Sequence, residues 1–430
     1  MNYPINANRC SAGNVQLEQN SKTKPFVGKF IVPSLFIAGF SLFIVDLITR
    51  IFLPDISMTF FGSSDPIDVA ITSQLVTISS GASVIVGLLL CFLTVKYDHK
   101  KLLVLGVLCI PVGALGCSLA PNFIFMQIFY TIEGIGTAIA GVMNLVLLGE
   151  ILPLNDKPKA TGWVMSGGAF ANIAGNLVIS FFFKDPGSWR AFLLWFALPI
   201  SLIALAAAYF GVPSLTQKRT EKIGKGGYLN AFKQIFRNRS AAACLIGNML
   251  GLISMMWGIY YLAFFRAELG LSIADGALVA VGAIIVGTSG RIIGGYFVNR
   301  IGRKRLPVIT MVFEGLTLPL LAFVPELWIA VVILYSNNFI GSFGNPALIN
   351  LILEQVPESR GTIMSINNVF VWLGTTIGAG IGGFVLAIFN YTGIFIVFAL
   401  LILITAGFLF FLTEDPCKTK ETDSLKPTLL

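Results

Sequence analysis

The chain has 430 residues, of which 56% are hydrophobic and only 12% charged, with a formal net charge of +8. Soluble domains carry roughly twice that charged fraction, so a soluble enzyme and a disordered chain are both effectively excluded. The positive balance does not indicate nucleic acid, because the charges sit in short loops with no basic face or aromatic reading surface.

Gaps between charges set the predicted elements. A polar tail over residues 1–29 lacks the basic start and cleavage site of a signal peptide. Helices are then expected over 30–53, 70–94, 102–120, 123–149, 161–183 and 191–211. A basic linker follows over 213–239. Six more helices are expected over 241–264, 274–297, 306–323, 327–352, 362–389 and 393–413, and a second polar tail runs over 414–430. Two breaks come from turn signals rather than charges: Pro121-Asn122, and Asn390-Tyr391-Thr392-Gly393. The stretch Gly361–Thr413 holds no charged residue or histidine. It is far longer than the ~20 apolar residues one bilayer-crossing helix needs. Continuous apolar runs, rather than alternating ones, argue against a β-barrel. The expectation is an all-α membrane protein with twelve transmembrane helices in two six-helix bundles, over 30–212 and 240–413.

Lysine and arginine placement supports this order. Nearly all of the 29 fall on one side when odd-numbered loops share a side. Only Lys184, Arg190 and Arg266 fall on the other, while Arg50 and Arg291 lie inside helices. By the positive-inside tendency both termini are cytoplasmic, in a cell membrane. The halves also echo each other. Glu150-Ile151-Leu152-Pro153 returns as Glu354-Gln355-Val356-Pro357, and the basic loop at Lys96–Lys101 returns at Arg300–Arg305, both 204 residues later. Repeated bundles rocking about a central site are how many secondary transporters achieve alternating access. The six cysteines form no CxxC pair, so neither a disulfide framework nor a metal site is expected. No nucleotide-binding GxxxxGK[ST] occurs, and no cofactor is expected.

Charges inside spans are costly, so each asks for a reason. Asp46 and Arg50 are one helical turn apart and can pair. Glu133 lies near the middle of the fourth helix, with Tyr130, Thr137 and Asn144 on or near its face. Arg291 and Glu314 lie at similar depth in successive helices and are expected to form a structural ion pair. A carboxylate in mid-membrane is costly while charged, and proton binding removes that cost. Glu133 is therefore the first candidate for proton coupling and Asp46 the second. Asn248, Trp257, Tyr260 and Tyr261 in the seventh helix can add to a polar, aromatic-edged pocket. So can Tyr335, Asn337, Asn338 and Asn345 in the tenth. Each is as consistent with hydrogen bonding between helices as with ligand contact.

The sequence resembles the major facilitator superfamily over nearly its whole length. The clearest motif is Gly295-Tyr296-Phe297-Val298-Asn299-Arg300-Ile301-Gly302-Arg303-Lys304, similar to the superfamily's loop between helices 8 and 9, with Asn299 at the usual aspartate position. The matching loop between helices 2 and 3 is degenerate: Cys91 and Val95 stand at its glycine and aspartate, and Asp98-His99 replaces Gly-Arg. Leu53-Pro54-Asp55-Ile56 resembles the first helix of drug and metabolite proton antiporters, and Trp189-Arg190 the start of helix 6. Their helix 4 motif is altered, with Tyr130 at the arginine and Glu133 at the glutamine, and Asn172 replaces a helix 5 proline. The resemblance implies that helices 1, 4, 7 and 10 line the substrate cavity. It also implies that Gly295, Asn299, Arg300, Gly302, Arg303 and Lys304 form a conformational latch.

The functional expectation is a secondary active transporter, coupled to protons and working as a monomer in the lipid bilayer. It would move a small organic solute that is neutral, zwitterionic or cationic. Efflux of amphipathic or cationic compounds is favoured. Proton-coupled uptake of a nutrient or metabolite is the alternative, and a non-transporting receptor or scaffold is the other class.

Overall fold

The structure is a computed structural model describing residues 25–152, 157–213, 235–356 and 360–415. These residues are helical throughout, with short connections. The linker expected over 213–239 and the two tails lie mostly outside them, as does the side chain of Asn299.

In chain order the helices are α1 (Pro25–Ser41), α2 (Leu47–Ile51), α3 (Leu53–Phe61), α4 (Pro66–Lys96), α5 (His99–Leu119), α6 (Phe123–Ile151) and α7 (Lys157–Phe182). α8 (Trp189–Phe192) runs through a π-helical turn into α9 (Leu198–Gly211). α10 (Arg239–Ser254) runs through a 3-10 turn, Met255–Ile259, into α11 (Tyr261–Glu268). α12 (Ile273–Ile301), α13 (Arg305–Thr317), α14 (Leu327–Gln355) and α15 (Arg360–Leu412) complete the chain.

Ten of these segments are long and apolar enough to cross a bilayer. Their outer faces carry large apolar side chains: Phe210 is 82% exposed, Phe411 81% and Trp328 76%. Such a surface would associate in water but suits hydrocarbon, where helices satisfy their own backbone.

Capping residues fix where three helices start, two of them a few residues ahead of the expected 102 and 241 and one at the expected 123. Asp98 accepts from the Lys100 N–H at the start of α5, Asn122 from Phe125 before α6, and Asn238 from Ser240 and Ala241 before α10. Each supplies an acceptor to an otherwise orphaned N–H. Gly302 ends α12 at φ +105°, a value side-chain-bearing residues rarely take.

Two elements depart from expectation. The helix predicted over 30–53 is three pieces, with residues 42–46 in a tight turn and a second break at Phe52. Pro54 has no N–H to donate back along the helix. The third piece continues to Phe61 because Asp55, read as the end of the span, finds a partner within the fold. Residues 390–393 are not an open turn. Asn390 alone leaves helical geometry (φ 55°, ψ −166°), so α15 bends there without a loop.

In the first half of the chain α6 packs on α5 and α4, and α1 packs on α7 and α9. In the second, α12 packs on α14, and α15 on α10 and α13. The most extensive pairings between halves are α4 with α15 and α7 with α12. Close approach of α12 to α14 depends on Gly290 and Gly294, which lie against the Phe339 and Phe343 carbonyls with no room for a Cβ. Gly295, expected to serve this purpose, has nothing within 4 Å of its Cβ position, because the next residue along the helix points away from α14.

Candidate functional site

The short helix α2 sits at the centre of the molecule. It packs against α4 and α7 of the first half, and against α11, α12 and the 3-10 turn 255–259 of the second. Leu47, Ile48, Thr49 and Ile51 are buried by these neighbours. Arg50 alone on α2 is exposed. A side chain that remains accessible on a helix enclosed by both halves faces an internal space rather than lipid.

The expected Asp46–Arg50 ion pair does not form among the described residues. Asp46 opens α2 in helical geometry (φ −56°, ψ −24°), one turn before Arg50, but its carboxylate is engaged elsewhere. The Tyr130 hydroxyl donates to Asp46 Oδ1 at 2.9 Å and lies 3.3 Å from the Thr49 hydroxyl. Arg50 lies on a helix that packs against α11 of the second half, close enough for its charge to act on the Tyr261 phenol, while the Tyr335 hydroxyl donates to the Val279 carbonyl at 3.2 Å. Trp257 stacks edge-on against Tyr261, with ring centroids 6.0 Å apart. Residues of the first, fourth, seventh and tenth predicted spans thus converge around Arg50.

Glu133 is 1% exposed and sits behind this cluster. Its backbone side packs on Gly113 of α5, where a Cβ would collide with it. Thr137 Oγ1 donates to Glu133 Oε1 at 2.9 Å. Glu133 lies close enough to Asp46 for the two charges to interact.

Several pocket candidates join helices to one another. Asn144 donates to the Leu35 carbonyl at 3.2 Å, Asn248 to Asn367 at 2.9 Å, and Thr317 to Asn337 at 2.8 Å. Asn338 bonds one turn back, to the Leu334 carbonyl. Asn345 and Asn248 line a separate cavity of about 40 Å³ between α10, α13, α14 and α15, beside Glu314, with room for ordered water. The predicted Arg291–Glu314 pair is absent among the described residues. Glu314 turns inward against Gly341, while Arg291 lies on the exposed side of α12.

The two ends of the molecule differ. At the end carrying residues 62–65 and 269–272, Arg266 of α11 grips Asp55 of α3 through two hydrogen bonds, of 2.5 and 2.9 Å, and also donates to the Ile51 carbonyl at 2.8 Å. Tyr260 donates to Ser73 of α4 at 2.9 Å. Gly383 and Gly380 of α15 lie against Gln74 and Thr77 of α4. The cross-half hydrogen bonds seen among the described residues cluster at this end. Sequence reasoning missed the Asp55–Arg266 pair, because residues 211 apart give no local signal.

At the other, basic end, Arg303 lies 3.8 Å from Glu354, and His99 Nδ1 lies 2.8 Å from Glu150. These pairs are related by the same 204-residue offset as the sequence repeat. His99, in the degenerate copy of the loop motif, therefore occupies the place of Arg303.

The Major Facilitator Superfamily profile matches residues 35–335 and 252–428. The chain belongs to this superfamily. It is 21% identical over 293 residues to the MFS-type transporter YceJ of Bacillus subtilis, covering 67% of this chain and 73% of that one. It is 20% identical to the cis,cis-muconate transport protein of Acinetobacter baylyi, over 53% of this chain and 57% of that one. The fold is also that of a D-xylose–proton symporter crystal structure, with a TM-score of 0.76 at 14% identity, covering 90% and 98% of the two chains. This superfamily member is thus an integral multi-pass membrane protein. It is a transporter and not an enzyme, and it moves a small solute across the bilayer by alternating access.

Proposed function

We propose that the protein is a proton-coupled uptake carrier for a small organic metabolite. The observation that carries this reading is the asymmetric closure of the centre: Asp55–Arg266 and Tyr260–Ser73 join the halves at one end, above an enclosed polar cluster at α2. Counting α1–α3 as one span and dividing α15 at Asn390 gives twelve spans in two six-helix bundles joined by residues 213–239. With the basic end in the cytoplasm, both termini lie there and the closure faces outward, which makes this the inward-facing state. The Gly302–Lys304 loop and its partner Glu354 then lie at the cytoplasmic surface, where a latch would act. The muconate carrier and the xylose–proton symporter support uptake over the drug efflux that the antiporter-like motifs suggested.

Glu133 is the leading proton carrier, with Asp46 next to it. Asp46 is half-buried and connects through Tyr130 to the helix that bears Glu133, so solute and proton sites adjoin.

The test is accumulation in proteoliposomes of a metabolite first found by thermal-shift screening. Acid outside should drive it inward. Accumulation only under the reversed gradient would replace uptake with efflux, and flux indifferent to pH would remove proton coupling. Topology has its own check. In intact cells, an impermeant thiol reagent should label cysteines placed at Ser63 and Lys184 but not one at Lys101. The reverse pattern would invert the orientation.

A further inference from the structure

Arg50 is a cation without a counter-charge. Among the described residues no carboxylate lies within ion-pair distance of it and no hydrogen bond holds it. Asp46, the nearest acid along the chain, is engaged by Tyr130 at 2.9 Å. Glu133, on α6, is 1% exposed and its carboxylate is held by Thr137. The acid one turn further on, Asp55, is committed to Arg266.

An uncompensated guanidinium in the membrane interior is costly, and in this fold it persists only beside water or an anion. Its surroundings suit an organic anion. The planar fork matches a carboxylate in two parallel hydrogen bonds. The Tyr261 and Tyr335 rings of the opposite half offer an apolar surface for the rest of the molecule, the Tyr335 ring being fixed by its hydroxyl's bond to the Val279 carbonyl. A single cation balances a single carboxylate. A phosphate ester, with up to two charges, would remain under-compensated next to Asp46.

We propose that the transported solute carries a carboxylate and that Arg50 is the residue that holds it, with Tyr261 and Tyr335 closing on the organic part. This rests on the uptake reading above and names its substrate class. Of the neutral, zwitterionic or cationic solutes expected from the cavity residues, it removes the neutral and the purely cationic, because that expectation placed Asp46 as the partner of Arg50. The placement also gives a route for coupling the halves. Arg50 belongs to the first and the tyrosines to the second, so a bound organic acid bridges them just below the Asp55–Arg266 closure.

The experiment uses the purified full chain and a panel of linear and aromatic monocarboxylates, each matched to its amide. Glucose, choline and glycerol 3-phosphate serve as neutral, cationic and phosphate controls. Carboxylates should raise the melting temperature of the wild type and their amides should not. Arg50→Gln should weaken carboxylate affinity by about thirtyfold or more, and Arg50→Lys by less, since lysine keeps the charge but not the fork. Because Arg50 has no protein partner, the unliganded Arg50→Gln protein should melt with the wild type, which excludes misfolding as the cause.

A response to amides, glucose, choline or glycerol 3-phosphate in place of the carboxylates overturns the proposal. So does silence of the whole carboxylate panel, or an undiminished response in Arg50→Gln. Recovery of the carboxylate response in Asp46→Asn/Arg50→Gln would reassign Arg50 as a counter-ion of Asp46 and likewise overturn it. Vesicle flux separates the two levels. Uptake of a sugar or an amine leaves the carrier standing and removes only the carboxylate, whereas absence of flux for every probe removes both.

Discussion

Glu133→Gln is expected to abolish gradient-driven accumulation in proteoliposomes while solute exchange at equal pH continues. Glutamine keeps the length of the side chain and an oxygen to accept from Thr137, so the packing against Gly113 is retained. It cannot bind and release a proton. A gradient of about one pH unit stores about 1.4 kcal/mol per proton, enough for roughly tenfold accumulation at one proton per solute. The variant should fall to no accumulation at all. Exchange needs only loaded carrier to reorient, so it should persist within a few-fold of wild type. Retained accumulation with the wild-type pH dependence would transfer the role to Asp46, and Asp46→Asn would then be the variant that loses it. If both variants accumulate normally, the carrier is not driven through this pair.

Why Glu133 and Asp46 could be found in the sequence, but not their geometry, follows from what a bilayer does to sequence patterns. A charge within an apolar run stands out, so both acids were visible, as were Arg50, Arg291 and Glu314. The same apolar background conceals direction. Inward and lipid-facing sides of these helices are similarly hydrophobic, so periodicity gave no indication that Glu133 points at Gly113 or that Glu314 turns toward Gly341 and away from Arg291. Helix positions were legible because loops concentrate the charges, and most ends moved by a few residues, as at Asp98 and Asn238, where a side chain caps the first turn. The broken first span was not legible. Its 42–46 turn contains no proline or glycine, and no local signal shows that the Asp46 carboxylate meets Tyr130 and not Arg50. The 204-residue repeat was legible and extended further than the motif match. It predicts the correspondence of His99–Glu150 with Arg303–Glu354, even though the loop bearing His99 had lost the motif's Gly-Arg.

Breaking Asp55–Arg266 should produce the second large effect, an opening of the closed end. The pair's side chains are 6% and 15% exposed, and it spans the two halves in a two-pronged arrangement with the Ile51 carbonyl as third acceptor. Removing one member of such a pair typically costs about 3–5 kcal/mol, because the remaining charge is left buried and unpaired. That penalty falls only on the conformation in which the ends meet. When the end opens, water solvates the orphan, so the population moves toward the open form. Spin labels on cysteines at Ser64 and Asp275, in a background lacking the six native cysteines, would read the separation of the halves at this end. Arg266→Ala and Asp55→Ala should each enlarge the long-distance population. The double variant should lie closer to wild type than either single, since it leaves no buried charge, and Tyr260–Ser73 with the α4–α15 contacts still holds the closure. Simple additivity of the two substitutions would mean that the residues do not act as a pair. An unchanged distance distribution in both single variants would mean that the closure does not depend on Arg266, and the seal would then have to be assigned to Tyr260 and the glycine contacts of α15.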